Sequence, residues 1–321
     1  MDDFEMTKTP TETFTLGHSP DPDDAFMFYA IAKDKIDLRG YRFEHRLEDI
    51  QTLNERARRG ELHVSAISIH AYAYVADKYA LLPCGASMGD GYGPLVVQKK
   101  AEPADQSVER ALRYAPPSPN QRAEDCPPYP TPASDDRVRE ILRGYTIAVP
   151  GKMTSAFLAL QLFLGEFSFI VVPFDKIFDA VVGGRADAGL IIHEGQLTYA
   201  RSGFEKIVDL GEWWKRSTGL PLPLGGNVVR KDISLPERRD ISQIIRQSID
   251  YGLAHRDEAV AYSLAYARDM NRQLASKFIG MYVNEFTCDY GESGRTAITK
   301  FLGDAHGKGY LDIPTELEFV E

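Results

Sequence analysis

Gly60-Glu-Leu-His-Val-Ser-Ala-Ile-Ser68 and, far downstream, Gly184-Arg-Ala-Asp-Ala-Gly-Leu-Ile-Ile192 read alike. Each runs from a glycine that ends a helix into a strand of small and apolar residues. Two such units predict an α/β chain of two lobes, each with that strand at the centre of its sheet. Ligands of open α/β sheets bind beyond the carboxyl ends of the strands. Ser68 and His193, at the two strand ends, are therefore expected to face one cleft.

The residues around these strands extend the pattern. Phe14–His18 reads as a strand, and Asp21-Pro-Asp-Asp24 opens a helix, with Asp21 as the cap and Asp23 and Asp24 at its positive end. Phe26–Ala32 is apolar nearly all round and so should be buried. Tyr41–Leu47 alternates like a strand, Asp49 opens a helix that stops at Gly60, and Val64–Ile69 is the next strand. The glycine-rich stretch from Leu81 to Val97 turns into another strand. The alternation restarts with Tyr145–Val149 (strand), Thr154–Leu164 (helix), Phe167–Val172 (strand), Asp175–Val182 (helix) and Ala188–Ile192 (strand). Pro223–Val229 is extended, and residues 237–254, 256–267, 272–284 and 293–307 read as helices.

Between the two units, residues 99–143 hold eight of the 19 prolines and few apolar side chains, the composition of an exposed insertion. The organisation predicted is a discontinuous first lobe (1–97 and 230–321), an insertion (99–143) and a second lobe (144–229). The glycine-rich segments Met88–Pro94 and Pro221–Asn227 lie where the chain would cross, as hinge or cleft wall.

Composition narrows the function. A 321-residue chain that is 43% hydrophobic and 26% charged is long enough for two globular units. A net charge of −10 excludes a broad nucleic-acid footprint. No apolar run reaches the length of a membrane span, and the acidic start Met1-Asp-Asp-Phe-Glu5 does not read as a secretory signal. Cys84, Cys126 and Cys288 are too few and too scattered for a disulfide framework or a zinc site, which fits reduced thiols in the cytoplasm. The seven histidines show no metal-binding spacing, so no metal is expected.

Four segments could carry chemistry. His193 ends a buried strand, where an imidazole serves as a general base or as a structural hydrogen-bonding group. Thr154 and Ser155 start a helix whose free N–H groups, hydroxyls and dipole suit a carboxylate or phosphate; simple N-capping would explain one hydroxyl. Lys152 precedes them, and no Walker A pattern is present. Ser19 sits at the first helix start beside three aspartates that capping explains more simply than Ca²⁺ or Mg²⁺ binding. His18 and His70 also end strands and could reach the cleft, whereas His45, His63, His255 and His306 read as surface or packing residues. Trp213 and Trp214 read as packing for the second lobe.

Together, Ser19-Pro-Asp-Pro-Asp-Asp-Ala-Phe-Met-Phe-Tyr29, Gly85-Ala-Ser-Met-Gly-Asp-Gly-Tyr-Gly-Pro-Leu95, Ile191-Ile-His-Glu-Gly195, Asp209-Leu-Gly-Glu-Trp-Trp214 and Leu220-Pro-Leu-Pro-Leu-Gly-Gly226 resemble the 1,4-dihydroxy-6-naphthoate synthases of the futalosine route to menaquinone. The resemblance implies a type II periplasmic-binding-protein-like α/β fold with a central cleft and hinge strands, used as a cytoplasmic carbon–carbon lyase. It implies a small-molecule carboxylate substrate, cyclic dehypoxanthinylfutalosine, and neither metal nor organic cofactor. It carries the catalytic base onto His193 and substrate contacts onto Ala66, Ile67, Ser68, Thr154 and Ser155. Many members read Ser-Pro-Cys-Pro-Asn-Asp where this chain has Ser19-Pro-Asp-Pro-Asp-Asp24, and the 99–143 insertion is longer than the family suggests. Two alternatives stand beside it: chorismate dehydratase of the same pathway, and a small-anion solute-binding protein of the same fold. The oligomeric state is left open, a homodimer being compatible.

Overall fold

In the computed structural model, residues 12–100, 135–267, 270–312 and 314–321 are described. Eleven strands occur among them: β1 (Glu12–His18), β2 (Tyr41–Leu47), β3 (Val64–Ser68), β4 (Tyr79–Leu81), β5 (Ser87–Gly89), β6 (Leu95–Lys99), β7 (Thr146–Val149), β8 (Ser168–Val171), β9 (Ala188–Ile191), β10 (Phe204–Asp209) and β11 (Leu222–Arg230). They form two sheets. The first has the order β2-β1-β3-β11-β4, with β5 also paired to β11; the second has the order β10-β6-β9-β7-β8.

The two similar stretches become β3 and β9, and each is the middle strand of its five-strand path. Every residue of both strands is buried. A strand covered on both faces is apolar throughout rather than alternating, which is why both read as unbroken runs of small and apolar residues. In each sheet an antiparallel strand lies directly beside the central one, β11 against β3 and β6 against β9.

Those two neighbours move the lobe boundaries expected from sequence. Leu95–Lys99 pairs with β9 and β10 and so belongs to the second sheet, although residues 1–97 were expected in the first lobe. Leu222–Arg230 pairs with β3, β4 and β5 and so belongs to the first sheet, not to a second lobe reaching 229. The reason is that each crossing of the chain ends as a strand of the lobe it enters. Backbone pairing of that kind leaves no mark in composition.

The insertion is also shorter than 99–143. Residues 135–143 form the helix Asp135–Arg143, with Val138 and Leu142, one turn apart, buried in the core. Arg139 places its guanidinium 4.7 Å from the centre of the Phe163 ring. Cys126 and the proline-rich residues 101–134 lie outside the described residues.

Several helices have legible causes. Asp49 caps Ile50–Arg59 by accepting from the N–H groups of Gln51 (3.0 Å) and Thr52 (3.1 Å). The helix ends with Arg56, Arg58 and Arg59 in its last turn, where positive charge suits the dipole. Ser234 and Glu237 close a capping box on Leu235–Ala254. The helix expected from Asp21 divides into Pro22–Met27 and Tyr29–Ala32. Sequence reading missed the short strands β4, β5 and β10 and the helix Leu210–Thr218.

Ser155–Leu164 is buried on nearly all sides, with Gln161 as its one partly exposed residue. Its apolar side chains join a core cluster that also holds Ile67 of the first sheet and Trp214 and Phe301 from outside both sheets. Trp214 donates from Nε1 to Pro221 O at 3.0 Å and packs edge-on against Phe301, 5.5 Å between ring centres. The tryptophan pair therefore joins the two lobes at their junction, and does not pack the second lobe alone.

The two crossings run side by side, and Leu210 N–H donates to Pro94 O at 3.0 Å. A Cβ on Gly93 would lie 2.9 Å from Gly211 Cα, and one on Gly211 would lie 1.9 Å from Tyr92 O. Only glycine allows backbones to approach this closely. Gly211→Ala should therefore destabilise the protein by about 1–3 kcal/mol or more. Gly303→Ala, in an exposed stretch of the Gly291–Gly307 helix with open space around its Cβ, should stabilise by about 0.5–1 kcal/mol. Urea unfolding of the two variants checks both signs.

Candidate functional site

β3 ends in Ser68 and β9 leads into Ile192, and a cavity opens between these strand ends. The first lobe contributes Ser19, the Asp21–Asp24 turn, Ala66, Ile67 and Ser68 to its wall; the second contributes Thr154, Ser155, Ala156, Ile192 and Gln196. Gly225, Gly226 and Asn227 of β11 form the back, opposite Ser68, Ile67 and Ala66 in the strand register. The structure thus brings together six of the seven residues singled out from sequence.

His193 is the exception. Its neighbours Ile192 and Gln196 line the cavity, but its own ring does not. The imidazole is buried at 9% exposure between Phe174 and Phe178, 5.6 and 6.1 Å between ring centres and near-perpendicular to both. Gly195 N–H donates to Nδ1 at 3.0 Å, and Glu194 Oε2 lies 3.5 Å from the same nitrogen. Nε2 is buried with no hydrogen-bond partner among the described residues.

At the start of the Ser155–Leu164 helix, both hydroxyls serve the protein itself. Thr154 caps the helix, accepting from Phe157 N–H at 3.2 Å and donating to Gly151 O at 2.9 Å. Ser155 donates to Leu224 O at 2.5 Å and accepts from His70 N–H at 3.1 Å. N-capping accounts for the Thr154 hydroxyl and a contact with the first lobe for that of Ser155, which leaves the backbone N–H groups and the dipole as what this helix start offers a ligand.

These bonds also tie the lobes together. Asn54 exchanges two hydrogen bonds with Ser68, from Ser68 N–H to its Oδ1 and from its Nδ2 to Ser68 Oγ, each 2.9 Å; Nδ2 also reaches Met153 O at 3.4 Å. Gln51 Oε1 accepts from Met153 N–H at 3.2 Å. On the other side of the cleft, Tyr282 donates to Gln196 Oε1 at 2.6 Å. Burial pushes the Tyr282 phenol well above its ordinary range, so it stays a donor.

The aspartate turn is not the cap that its sequence suggests. Asp21 makes no side-chain cap bond. It accepts from Ser19 Oγ at 3.1 Å, while Asp24 Oδ2 accepts from Ser19 N–H at 2.7 Å. The carboxylates order the Ser19 loop and face the cleft instead of closing the helix. Burial pushes Asp24 up to about 6. Asp23 is raised well above its usual value, first by burial and then by the charges of Asp24 and Asp21. Among the described residues that line the cavity, these three carry the carboxyl groups, and no lysine, arginine or histidine joins them.

His18 and His70 stop just behind the wall. His18 Nδ1 donates to Ser19 O at 3.0 Å, so its Nε2 must accept from His45 Nδ1, 2.9 Å away. His45 is thereby a half-buried hydrogen-bonding partner, the packing alternative of its sequence reading. His70 Nδ1 donates to Thr154 O at 3.2 Å. Burial pushes all three down to about 4, with the neighbouring His18 adding to the effect on His45.

Asn227 ends the segment Pro221–Asn227 read from sequence as hinge or cleft wall, whereas Asn54, Gln196 and Tyr282 were missed, because each reads there as an ordinary polar or aromatic helix residue. Only Gln196 had a nearby signal, standing three residues after His193.

Comparison with known proteins places the chain. The sequence profile of a family described as menaquinone biosynthesis matches residues 14–114 and 133–306. A 1,4-dihydroxy-6-naphthoate synthase from Thermus thermophilus is 35% identical over 298 residues, 93% of this chain and 96% of that protein. One from Streptomyces coelicolor is 34% identical, over 94% of this chain and 95% of that protein. Among solved structures, protein AF1704 from Archaeoglobus fulgidus superposes with a TM-score of 0.78 at 39% identity, covering 93% of this chain and 98% of that one. The alkanesulfonate-binding protein SsuA of Xanthomonas axonopodis pv. citri matches at a TM-score of 0.63 and 10% identity, over 94% and 95% of the two chains. At that identity the likeness concerns the fold alone, which is that of the periplasmic binding proteins.

Two predictions follow from the site. Ser155→Ala leaves Leu224 O and His70 N–H without their partner and should cost about 1–3 kcal/mol in urea unfolding. The second concerns pH. Between about 4 and the ordinary histidine value of 6.5, the native state binds fewer protons than the unfolded state at His18, His45 and His70, so these groups lower stability as pH falls. Asp24 and Asp209, both raised to about 6 by burial, act oppositely between about 6 and 3.8. Relative to the parent protein, His70→Asn should lose less stability between pH 7 and 4.5, and Asp24→Asn should lose more. Parallel losses would refute the assignment.

Proposed function

The chain belongs to the menaquinone-biosynthesis family, and from that membership we propose that it is a cytoplasmic 1,4-dihydroxy-6-naphthoate synthase. Its substrate is cyclic dehypoxanthinylfutalosine, and the reaction is a carbon–carbon cleavage that needs no metal or organic cofactor. The observation that carries the reading is the placement of Ile191-Ile-His-Glu-Gly195. The central strand of the second lobe delivers this turn to the cleft, with Ile192 and Gln196 in the wall on either side of the histidine.

The charge pattern suggests how the substrate lies. A carboxylate is disfavoured beside Asp21, Asp23 and Asp24 of the first lobe and favoured at the second lobe's wall, where the N–H groups of Ser155 and Ala156 open a ten-residue helix. The aromatic carboxylate end therefore points to the Ser155 helix, and the hydroxyl-rich, sugar-derived end points to the aspartates. His193 removes a proton from that sugar-derived portion. The carbon–carbon bond then breaks, its electrons complete the aromatic ring, and 1,4-dihydroxy-6-naphthoate is left. Aromatisation supplies driving force, so the protein has to position, deprotonate and exclude water.

The cross-cleft bonds made by Ser155, Asn54 and Tyr282 fit closure over a bound substrate. His193 lies behind the wall in this arrangement, so the turn that carries it has to shift when substrate binds for the ring to reach the reacting atoms.

The test is to incubate the purified, metal-stripped protein with cyclic dehypoxanthinylfutalosine and follow 1,4-dihydroxy-6-naphthoate by mass and ultraviolet absorbance. Product without added cofactor is the expected result. His193→Ala should abolish turnover while substrate still binds in calorimetry; undiminished turnover would overturn the role of His193. Binding without product in the parent protein would favour a solute-binding protein, and consumption of chorismate would favour the dehydratase.

A further inference from the structure

The hydrogen bonds around His193 conflict with its use as a base. A backbone N–H can only donate, so the bond from Gly195 makes Nδ1 an acceptor and puts the proton of the neutral ring on Nε2. Nε2 is buried and has no hydrogen-bond partner among the described residues, and hence is the nitrogen left to meet a substrate once the ring reaches it. In this tautomer it is a donor and cannot receive a proton. For Nε2 to act as a base, the proton has to sit on Nδ1, where an acceptor must replace the Gly195 N–H.

We propose that Glu194 is that acceptor: a positioning residue whose carboxylate holds the Nδ1–H tautomer of His193 and stabilises the imidazolium formed on proton abstraction. Glu194 Oε2 lies 3.5 Å from Nδ1, and both side chains are buried. A charge-assisted N–H···O bond spans about 2.8 Å, a shift within reach of a rotation about the glutamate side chain or the ring. The surroundings favour the exchange. Phe174 and Phe178 hold the ring edge-on from two sides, and a Cβ on Gly195 would lie 2.7 Å from His193 Cε1, so the ring rests directly on the backbone. The other charged groups on the segment carrying the two phenylalanines, Asp175, Lys176 and Asp179, are exposed, with Lys176 3.6 Å from each aspartate.

The step balances without a further reactant. Nε2 takes the substrate proton, the electron pair it leaves becomes a new double bond in the departing sugar-derived portion as the carbon–carbon bond breaks into the ring, and Nδ1–H stays hydrogen-bonded to the ionised Glu194. The carboxylate is not itself protonated.

This inference rests on His193 being the base, and the experiment separates the two claims. Steady-state turnover of cyclic dehypoxanthinylfutalosine is measured against pH for the parent protein, His193→Ala, Glu194→Gln and Glu194→Asp. The ¹⁵N shifts of His193 are recorded in parent and Glu194→Gln protein, with and without 1,4-dihydroxy-6-naphthoate. Glu194→Gln should lower kcat by about a hundredfold with KM little changed, and should move the acid limb of the kcat/KM profile to lower pH. Glu194→Asp, which keeps the charge on a shorter arm, should fall between. The ring should show the Nε2–H signature in the free parent protein and Nδ1–H with product bound, a change weakened or lost in Glu194→Gln. If Glu194→Gln keeps parental kcat and pH profile while His193→Ala is inactive, the inference fails and the base assignment stands. If His193→Ala remains active, the base assignment fails. Should Glu194→Gln not fold, an unchanged ring signature in the parent protein on product binding would still refute the inference.

Discussion

Two strands of backbone cross between the lobes and touch where Gly93 meets Gly211, and the architecture depends on that contact. Each crossing ends as a strand beside the central strand of the sheet it enters, so the contact sets the sheets relative to one another. With the crossings fixed, β3 and β9 point their carboxyl ends at a common space. The Ser155–Leu164 helix is then enclosed by both lobes, and Trp214 and Phe301 seal the junction. Side chains at either glycine would force the backbones apart, and the cleft would lose its shape before any residue in it was altered.

Polar groups close the cleft, and their arrangement explains why so many are buried. Asn54, Ser155, His70 and Tyr282 each satisfy a partner across the gap. A hydrogen bond between lobes contributes modestly when formed, but its groups return to water when the lobes part. Bonds of that kind can be exchanged for bonds to water at little net cost. The buried neutral histidines behind the wall belong to the same economy: each donates from Nδ1 to a backbone carbonyl or to the next histidine, which keeps the Ser19 and Thr154 turns in place.

The aspartates show how context reverses a local reading. Asp21, Asp23 and Asp24 match the composition of a helix start, yet the hydrogen bonds go to Ser19 and the carboxylates face the cavity. Their acidity makes the cleft electrostatically uneven, with the acidic side chains on the first lobe's wall and the helix N–H groups on the second's. A substrate with a carboxylate at one end and hydroxyls at the other matches that polarity.

Much of this was legible in the chain itself. The repeated run from glycine into a small, apolar strand determined an α/β chain with two central strands, because a strand buried on both faces admits little else. Local chemistry also determined the caps at Asp49 and Thr154, and the segments in which Ser19, Ser68, Ser155 and His193 stand. What only the tertiary structure decided was partnership: which lobe β6 and β11 join, that the Thr154 and Ser155 hydroxyls bond to the protein's own backbone, that Gln196 and Tyr282 meet, and which nitrogen of His193 carries the proton. These depend on groups distant in sequence coming within 3 or 4 Å. Propensity and periodicity describe a residue's near neighbours along the chain, and they hold no information about those distances.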